Sequence, residues 1–196
     1  MRNGRVTRGR VLAAVATGAA MLAFPAAAMA VSFGADLDSN LQPSGAGNGH
    51  FCEGGPTNCT WVLMDAYQNA GGERAPKDGK IRKIKIIAND GGSFRFQVAK
   101  AKADQQKARI VENGPKISYD GQPDPNEPYV IERFDVNVPV KEGEYLAIKA
   151  KRPSLLRCSS GGPNVLQFQP PLALGGPFEN ATSDDGCWLL LEAVIR

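Results

Sequence analysis

The four cysteines, Cys52, Cys59, Cys158 and Cys187, are the side chains whose chemistry is easiest to infer. An even number of cysteines in an exported chain predicts disulfides, and four cysteines allow three pairings. We favour Cys52–Cys59 with Cys158–Cys187, because each bridge then closes a loop that is local in sequence. A zinc site is the rival interpretation. It is disfavoured because the chain has no Cys-x-x-Cys pair and its single histidine, His50, is isolated.

The single histidine also restricts nucleophilic catalysis. A nucleophile needs a base within hydrogen-bond reach, and His50 lies in a Gly-rich segment two residues before Cys52. No Gly-x-Ser-x-Gly motif precedes a helix, and oxidised thiols would not act as nucleophiles. We therefore predict no catalytic residue and expect that the protein is not an enzyme.

Paired carboxylates are the remaining catalytic possibility, since glycoside hydrolysis uses two acids. Glu192 stands out because its predicted strand is otherwise apolar and because it shares a face with Trp188. An apolar setting would raise the pKa of its carboxyl group. A solvated or lysine-paired acid is the simpler interpretation, so a carboxylate-dependent glycoside hydrolase is kept only as an alternative. The acids considered are Glu132, Asp135, Glu142, Glu144 and Glu192.

Aromatic side chains suggest a binding function. Sugars stack on exposed aromatic rings, with polar groups around them. Tyr119 and Tyr129 flank a polar segment, 113–128, that is expected to be a loop. Together with Trp188 and Glu192 they form the predicted ligand-binding set. The alternative is that Trp61 and Trp188 pack beside the disulfides and that the tyrosines cover the edge of the core.

Calcium is the most plausible ion, because hard cations take oxygen ligands. Three segments are rich in such ligands, but none has the glycine and distal glutamate of an EF-hand, and Asp and Asn are also common in ordinary turns. We predict no cofactor, with a structural calcium as the alternative. The segments are Asp36–Asn40, the 120–127 loop with Asp120, Asp124, Asn126 and Glu127, and the group Asn180, Asp184 and Asp185.

The N-terminal 30 residues have the three parts of a signal peptide. Four arginines precede an apolar run of 14 residues, Val11–Phe24, and Ala28-Met29-Ala30 matches a cleavage site. This run is shorter than the roughly 20 residues of a spanning helix, and no other long apolar run follows. We predict Sec-type export with a mature chain from Val31, since no Arg-Arg pair is present. The predicted organisation is a signal peptide (1–30), a lead-in segment (31–50) and a single β-sandwich domain (51–196).

Export changes the charge of the protein. The chain has 23 basic and 20 acidic side chains, and removal of four signal arginines leaves 19 against 20, a net charge of −1. A nearly neutral protein offers little general attraction for nucleic acid or anionic lipid, so neither is a predicted partner. A local set of cations is interpreted as the solvated side of a sheet: Lys80, Arg82, Lys83, Lys85 and Arg95.

The elements that would hold these residues are strands. In the segment 79–102, Phe94, Phe96 and Val98 alternate with polar residues, and Ile84 and Ile86 do so as well. A period of two is typical of half-buried strands. The intervening Asp-Gly-Gly at 90–92 is typical of a tight reversal, so this stretch predicts a β-hairpin.

The rest of the chain predicts about eight strands with Gly- and Pro-rich turns between them. Strong strands are expected at 60–64, 108–112, 129–140 and 145–150, and a single final strand at 188–195. No convincing helix is found after residue 30. The predicted fold is all-β, a two-sheet antiparallel β-sandwich of jelly-roll type.

Three segments carry a resemblance to known proteins: Ala75–Ile84, Phe134–Ile148 and Leu189–Ala193. In this order they resemble a group of secreted bacterial β-sandwich proteins, jelly-roll-like and without an established activity. The likeness covers most of 33–196. It implies the fold and export and assigns no functional residue.

Together these observations predict a secreted, non-catalytic extracellular module, either free or associated with the cell surface, that binds carbohydrate or cell-wall glycan. The first alternative is a structural or protein-interaction domain of the cell surface. The second is the carboxylate-dependent glycoside hydrolase described above.

Overall fold

The computed structural model describes residues 29–37, 43, 52, 58–65, 73–122, 124, 127–158 and 165–196. His50 and the predicted signal peptide, apart from Met29 and Ala30, lie outside these ranges. The described chain is all-β, with 13 strands paired in antiparallel sheets and no helix, which confirms the predicted class. Within the same ranges, no helix is long and apolar enough to cross a membrane.

The strands are numbered in chain order. They are β1 (Val31–Gly34), β2 (Cys59–Leu63), β3 (Gly79–Ile86), β4 (Gly92–Ala101), β5 (Lys107–Tyr119), β6 (Glu132–Val140), β7 (Tyr145–Ala150), β8 (Leu156–Cys158), β9 (Val165–Phe168), β10 (Glu179–Asn180), β11 (Ser183–Asp185), β12 (Cys187–Leu189) and β13 (Leu191–Ile195).

A four-stranded sheet has the order β1-β13-β3-β6, and a short two-stranded sheet pairs β12 with β8. The first and last strands of the described chain are neighbours, with Val31 opposite Ile195. Alternation in β3 buries Ile84 and Ile86, as the period of two predicts, and a register shift between Ile81 and Lys83 leaves Ile81 buried as well. This sheet therefore presents an apolar face to the interior.

The second large sheet has seven strands, in the order β10-β5-β4-β7-β2-β9-β11, and it curls. Its two outer strands, β10 and β11, are consecutive in the chain, with only Ala181 and Thr182 between them. The Ala181 amide donates to the carbonyl of Gln106, beside β5, and the Thr182 amide donates to the carbonyl of Gln167 in β9. One short segment thus joins both edges of the curled sheet.

The core has two parts, one on each face of the curled sheet. The larger part contains side chains of both large sheets, among them Trp61, Phe96 and Ile84, so the four-stranded sheet packs on one face of the curl. The smaller part lies on the face that the curl encloses. There the chain uses small residues, Ala99 and Ala147, beside a few larger ones, because a tightly curved sheet leaves little room inside.

The predicted hairpin is wrong, because β3 and β4 belong to different sheets. The residues between them cross from one sheet to the other instead of reversing in place. Ile87 and Ala88 are buried, and the amide of Asn89 donates to the carbonyl of Ser154. Alternation and turn residues identify two strands joined by a bend, and they do not specify which partner each strand takes.

Two further boundaries differ from prediction. The loop expected from residue 113 begins only after Tyr119, since β5 stays paired with β4 to that point. The single strand expected at 188–195 is two strands in two sheets, separated by Leu190. The predicted count of about eight strands is too low, since the described chain has 13. The two-sheet jelly-roll sandwich remains a prediction.

The Cys52–Cys59 disulfide is formed, as predicted. Cys187 is also disulfide-bonded, and its partner in the strand register is Cys158, whose side chain lies outside the described part. The bridges therefore agree with an oxidising environment outside the cell.

Candidate functional site

The two tyrosines of the predicted binding set are not exposed platforms. Tyr119 is 5% exposed and Tyr129 is 7% exposed, and both belong to the larger core. The Tyr119 ring lies 5.7 Å from that of Phe94. Its hydroxyl donates over 3.0 Å to Ser154, since the Ser154 hydroxyl itself donates to the carbonyl of Asp90. Burial raises the pKa of Tyr119, which agrees with a role in the interior.

Trp188 and Glu192 lie in two different strands, β12 and β13. The Arg157 guanidinium stands 5.7 Å from the centre of the Trp188 ring. Glu192 is 8% exposed and accepts a hydrogen bond of 2.7 Å from the Lys85 ammonium. Both side chains are thus held by a neighbouring cation, and the buried Leu190 stands between them in the chain.

Three of the other four candidate acids, Glu132, Asp135 and Glu144, have partners within the protein. Glu132 accepts from the amides of Asp120 and Gly121, and Asp135 lies 3.4 Å from Lys83. Glu144 accepts from the amide of Lys141. In the described ranges, no group of three metal-ligating side chains converges. Part of each predicted calcium segment lies outside those ranges or, for Asp185, lacks a described side chain, so the ion stays a prediction.

The curled sheet carries a row of cations of which the sequence singled out only Arg95, and Arg95 lies in a different sheet from the lysines and arginine of β3 with which it was grouped. Arg95 in β4 stands directly opposite Lys116 in β5 and directly opposite Lys149 in β7. Residues in direct register point to the same face, and neighbouring strands lie about 4.8 Å apart. The three side chains therefore form a line about 10 Å across three strands, which we call the basic row (Lys116, Arg95 and Lys149).

In the part of the chain that the structure describes, no carboxylate forms an ion pair with the basic row. Within the described residues, the ion pairs are Arg74–Asp65, Lys83–Asp135 and Lys85–Glu192, none of which involves the row. Arg95 donates only to the carbonyl of Gly114 there, at 3.1 Å. In the four-stranded sheet, by contrast, Lys83 pairs with Asp135 and Lys85 pairs with Glu192.

Neutral polar groups flank the basic row on the same face of the sheet. On one side, Ser93 lies opposite Ser118, and both are exposed. On the other side, Gln97 donates a hydrogen bond of 2.7 Å to Asn113, while the Gln97 carbonyl oxygen is buried without a partner. Hydroxyls and amides beside cations are suited to binding an anionic polymer that also carries hydroxyl groups.

A second polar cluster closes the opposite end of the curl. One carboxylate oxygen of Asp65 accepts hydrogen bonds from Arg74, Gln105 and Tyr145, the last two at 3.0 and 3.1 Å. Burial raises the pKa of Tyr145, and the neighbouring charge of Asp65 raises it further. The pKa of Arg74 is also raised, mainly by its bond to Asp65. This cluster links β2, β7 and the turn after β4, and we interpret it as structural.

Comparison with family models, with curated proteins and with solved structures found no match for this chain.

Sequence reasoning missed the basic row for two reasons. Lys116 fell in a predicted loop, although Ile117 and Tyr119 alternate with Lys116 and Ser118 in the period of a strand. Lys149 is an ordinary lysine of a predicted strand, and its partner is set by the order of strands in the sheet.

Proposed function

We propose that this protein is a secreted, non-catalytic extracellular module of β-sandwich type that binds an anionic cell-wall glycan through the basic row. One observation carries the proposal: Lys116, Arg95 and Lys149 stand in direct register on neighbouring strands, and no carboxylate among the described residues pairs with them. Like charges directly opposite each other destabilise a sheet. An uncompensated row of this kind is typical of a surface that meets an external anion.

The chemistry of the flanking groups supports a glycan as the source of that anion. Exposed hydroxyls of Ser93 and Ser118 and the amide of Asn113 can exchange hydrogen bonds with sugar hydroxyls. Phosphate or carboxylate groups on the polymer would meet the cations. The predicted charge of −1 for the exported chain means that this attraction would be local, because the whole protein provides no basic field.

Export is part of the proposal and has independent support. The Cys52–Cys59 bridge suits an oxidising compartment. The first described strand begins at Val31, the residue that would follow the cleavage site. Met29 is 82% exposed, so the segment to be cleaved would be accessible beside the folded domain.

Binding can be measured with the mature chain and three polymers: a phosphate-bearing wall glycan, a polyuronate and a neutral polysaccharide. We expect the two anionic polymers to bind and the neutral one to bind weakly. The double variant Arg95→Gln/Lys149→Gln is expected to bind about 30-fold more weakly, since it loses two charge-assisted contacts. The slope of log affinity against log salt concentration should also become shallower, from about −2 to about −0.7.

A matched control removes the same charge elsewhere. Lys77→Gln/Lys80→Gln changes two lysines near the start of β3, and it should bind within about twofold of the unchanged protein. Equal binding of neutral and anionic polymers, or equal losses in the two double variants, would contradict the proposal. Release of reducing ends from the polymer would instead support the hydrolase alternative.

The basic row also predicts an effect on stability. Lys149→Gln removes one repulsive pair, so we expect the free energy of unfolding to rise by about 0.5 kcal/mol while glycan affinity falls. Added salt should narrow this difference, because it screens exposed charges. Chemical denaturation at low and high salt measures both effects. Lys85→Gln, in the four-stranded sheet, is the control. It should lower the free energy of unfolding by about 1 kcal/mol, since Glu192 then loses its partner.

A further inference from the structure

A second, separate candidate site lies between the two large sheets, where β5 faces the end of β6 and the following turn. The structure has a cavity of about 250 Å³ at this position. Lys149 of the basic row is two residues from the enclosed Ala147 in β7, so the row is on the enclosed face. Arg109 alternates with the enclosed residues Ala108 and Ile110, so the cavity lies on the opposite face. Lys100, Arg109 and Lys141 line it together with Glu112 and Glu144.

Arg109 is the most informative of these side chains. Its guanidinium lies 4.9 Å from the centre of the Phe178 ring, in a cation–π contact. Its Nε atom is buried and has no hydrogen-bond partner among the described residues. A buried donor without a partner lowers stability, so the described residues leave part of the hydrogen-bonding capacity of Arg109 unused.

The described residues do not neutralise the cations of the cavity. Lys100 stands directly opposite Arg109 in the register of β4 and β5, so two positive charges lie side by side. No described carboxylate lies in an ion pair with Lys100, Arg109 or Lys141. Glu144 instead accepts a hydrogen bond from the amide of Lys141. The lining thus offers cationic donors and, separately, carboxylate acceptors.

We propose that this cavity binds a small molecule through an oxyanion, with the Arg109 guanidinium as the main contact and Lys100 beside it. The planar fork of arginine matches the two oxygens of a carboxylate or phosphate group. The carboxylates of Glu112 and Glu144 would repel a bare anion and would accept hydrogen bonds from hydroxyl groups. The ligand class is therefore a hydroxyl-bearing molecule with one phosphate or carboxylate group.

Titration of the mature protein with glycerol phosphate, glycerate and inorganic phosphate at constant ionic strength tests this assignment. We expect saturable binding of at least one hydroxyl-bearing probe, with a dissociation constant of about 1 mM or lower. Amide NMR shifts should be confined to the ends of β4, β5 and β6. The relative affinities of glycerol phosphate and glycerate distinguish a phosphate site from a carboxylate site.

Substitutions of Arg109 test whether its guanidinium contacts the ligand. Arg109→Gln should weaken binding about tenfold or more, and Arg109→Lys should show a similar loss, because it keeps the charge and removes the fork. The control is Lys102→Gln, which also removes a cation lying over Phe178, at 4.4 Å, but does not line the cavity. It should bind within about twofold of the unchanged protein. Thermal unfolding of each variant establishes that it is folded.

Failure of the proposed Arg109 site can be distinguished from failure of the proposed glycan site. Arg95→Gln/Lys149→Gln should leave small-anion binding unchanged, because those side chains lie on the other face of the sheet. The assignment is overturned if no probe saturates the folded protein. It is also overturned if Arg109→Gln binds as tightly as the unchanged protein.

Discussion

Replacing Trp61 by alanine is expected to lower the free energy of unfolding by about 4 kcal/mol. Trp61 is completely buried in the centre of the larger core, and its indole nitrogen donates over 3.4 Å to the carbonyl of Ala150. The variant loses a large apolar surface and leaves a cavity beside β2, the strand that lies between β7 and β9 in the curled sheet. For a chain of this size the midpoint of thermal unfolding should fall by about 12 °C.

Trp61→Phe is the matched control. It keeps an aromatic ring and removes the indole N–H, so the expected loss is about 2 kcal/mol, consisting of one hydrogen bond and a smaller cavity. Chemical denaturation of both variants and of the unchanged mature protein measures the differences. A loss below 1 kcal/mol for the alanine variant would mean that the neighbouring side chains collapse into the space, and it would contradict a rigid core around Trp61.

Asp65→Ala is expected to have the second largest effect, a loss of about 3 kcal/mol. The substitution removes the acceptor shared by Tyr145, Gln105 and Arg74. Most of the loss comes from Tyr145, which is 3% exposed and whose hydroxyl would remain buried without a partner. Arg74 contributes less, because its side chain is half exposed and can turn to water.

A double-mutant cycle isolates the contribution of the hydrogen bond between Tyr145 and Asp65. Tyr145→Phe removes the hydroxyl that Asp65→Ala leaves unpaired, so the double variant should be more stable than the sum of the single losses predicts, by about 1–2 kcal/mol. Equilibrium unfolding of the four proteins gives the coupling. Additive losses would show that the Tyr145 hydroxyl finds another acceptor, and the structural role of the cluster at this end of the curl would have to be abandoned.

The two proposed sites affect the stability of the protein in different ways. The basic row is a surface that the fold tolerates at some loss of stability, and Lys149→Gln tests that loss directly. The cavity at Arg109 contains a buried donor that lacks an acceptor. In both cases the signal is a polar group that the protein itself leaves uncompensated, whereas Lys85 with Glu192 illustrates a pair that is satisfied internally.

Strand positions were largely predictable. The alternation at 94–98, the β-branched and aromatic residues at 60–63 and the turn at 141–144 correspond to observed elements. These features are local, because the identity of each residue and its neighbours determines whether a segment can be extended with one apolar side. The local Cys52–Cys59 bridge was predictable for the same reason.

The pairing of the strands and the exposure of individual side chains could not be predicted from such local features. Asp-Gly-Gly at 90–92 suggested a hairpin, but Asn89 is held by Ser154 and the chain crosses between sheets. Tyr119 and Tyr129 flank a polar segment and looked available for sugar, yet both pack in the core. The side chain type is compatible with either outcome, and the neighbouring strands determine which one occurs.

The sequence by itself determined the all-β character, the approximate strands, the local disulfide and the expectation of export. Only the tertiary structure decided that the seven-stranded sheet curls, that Lys116, Arg95 and Lys149 come into line, and that the Arg109 Nε is left without a partner. The physical reason is the range of the interactions. Alternation and turn preference act between residues a few positions apart, whereas register and burial depend on contacts between segments that are distant in the chain.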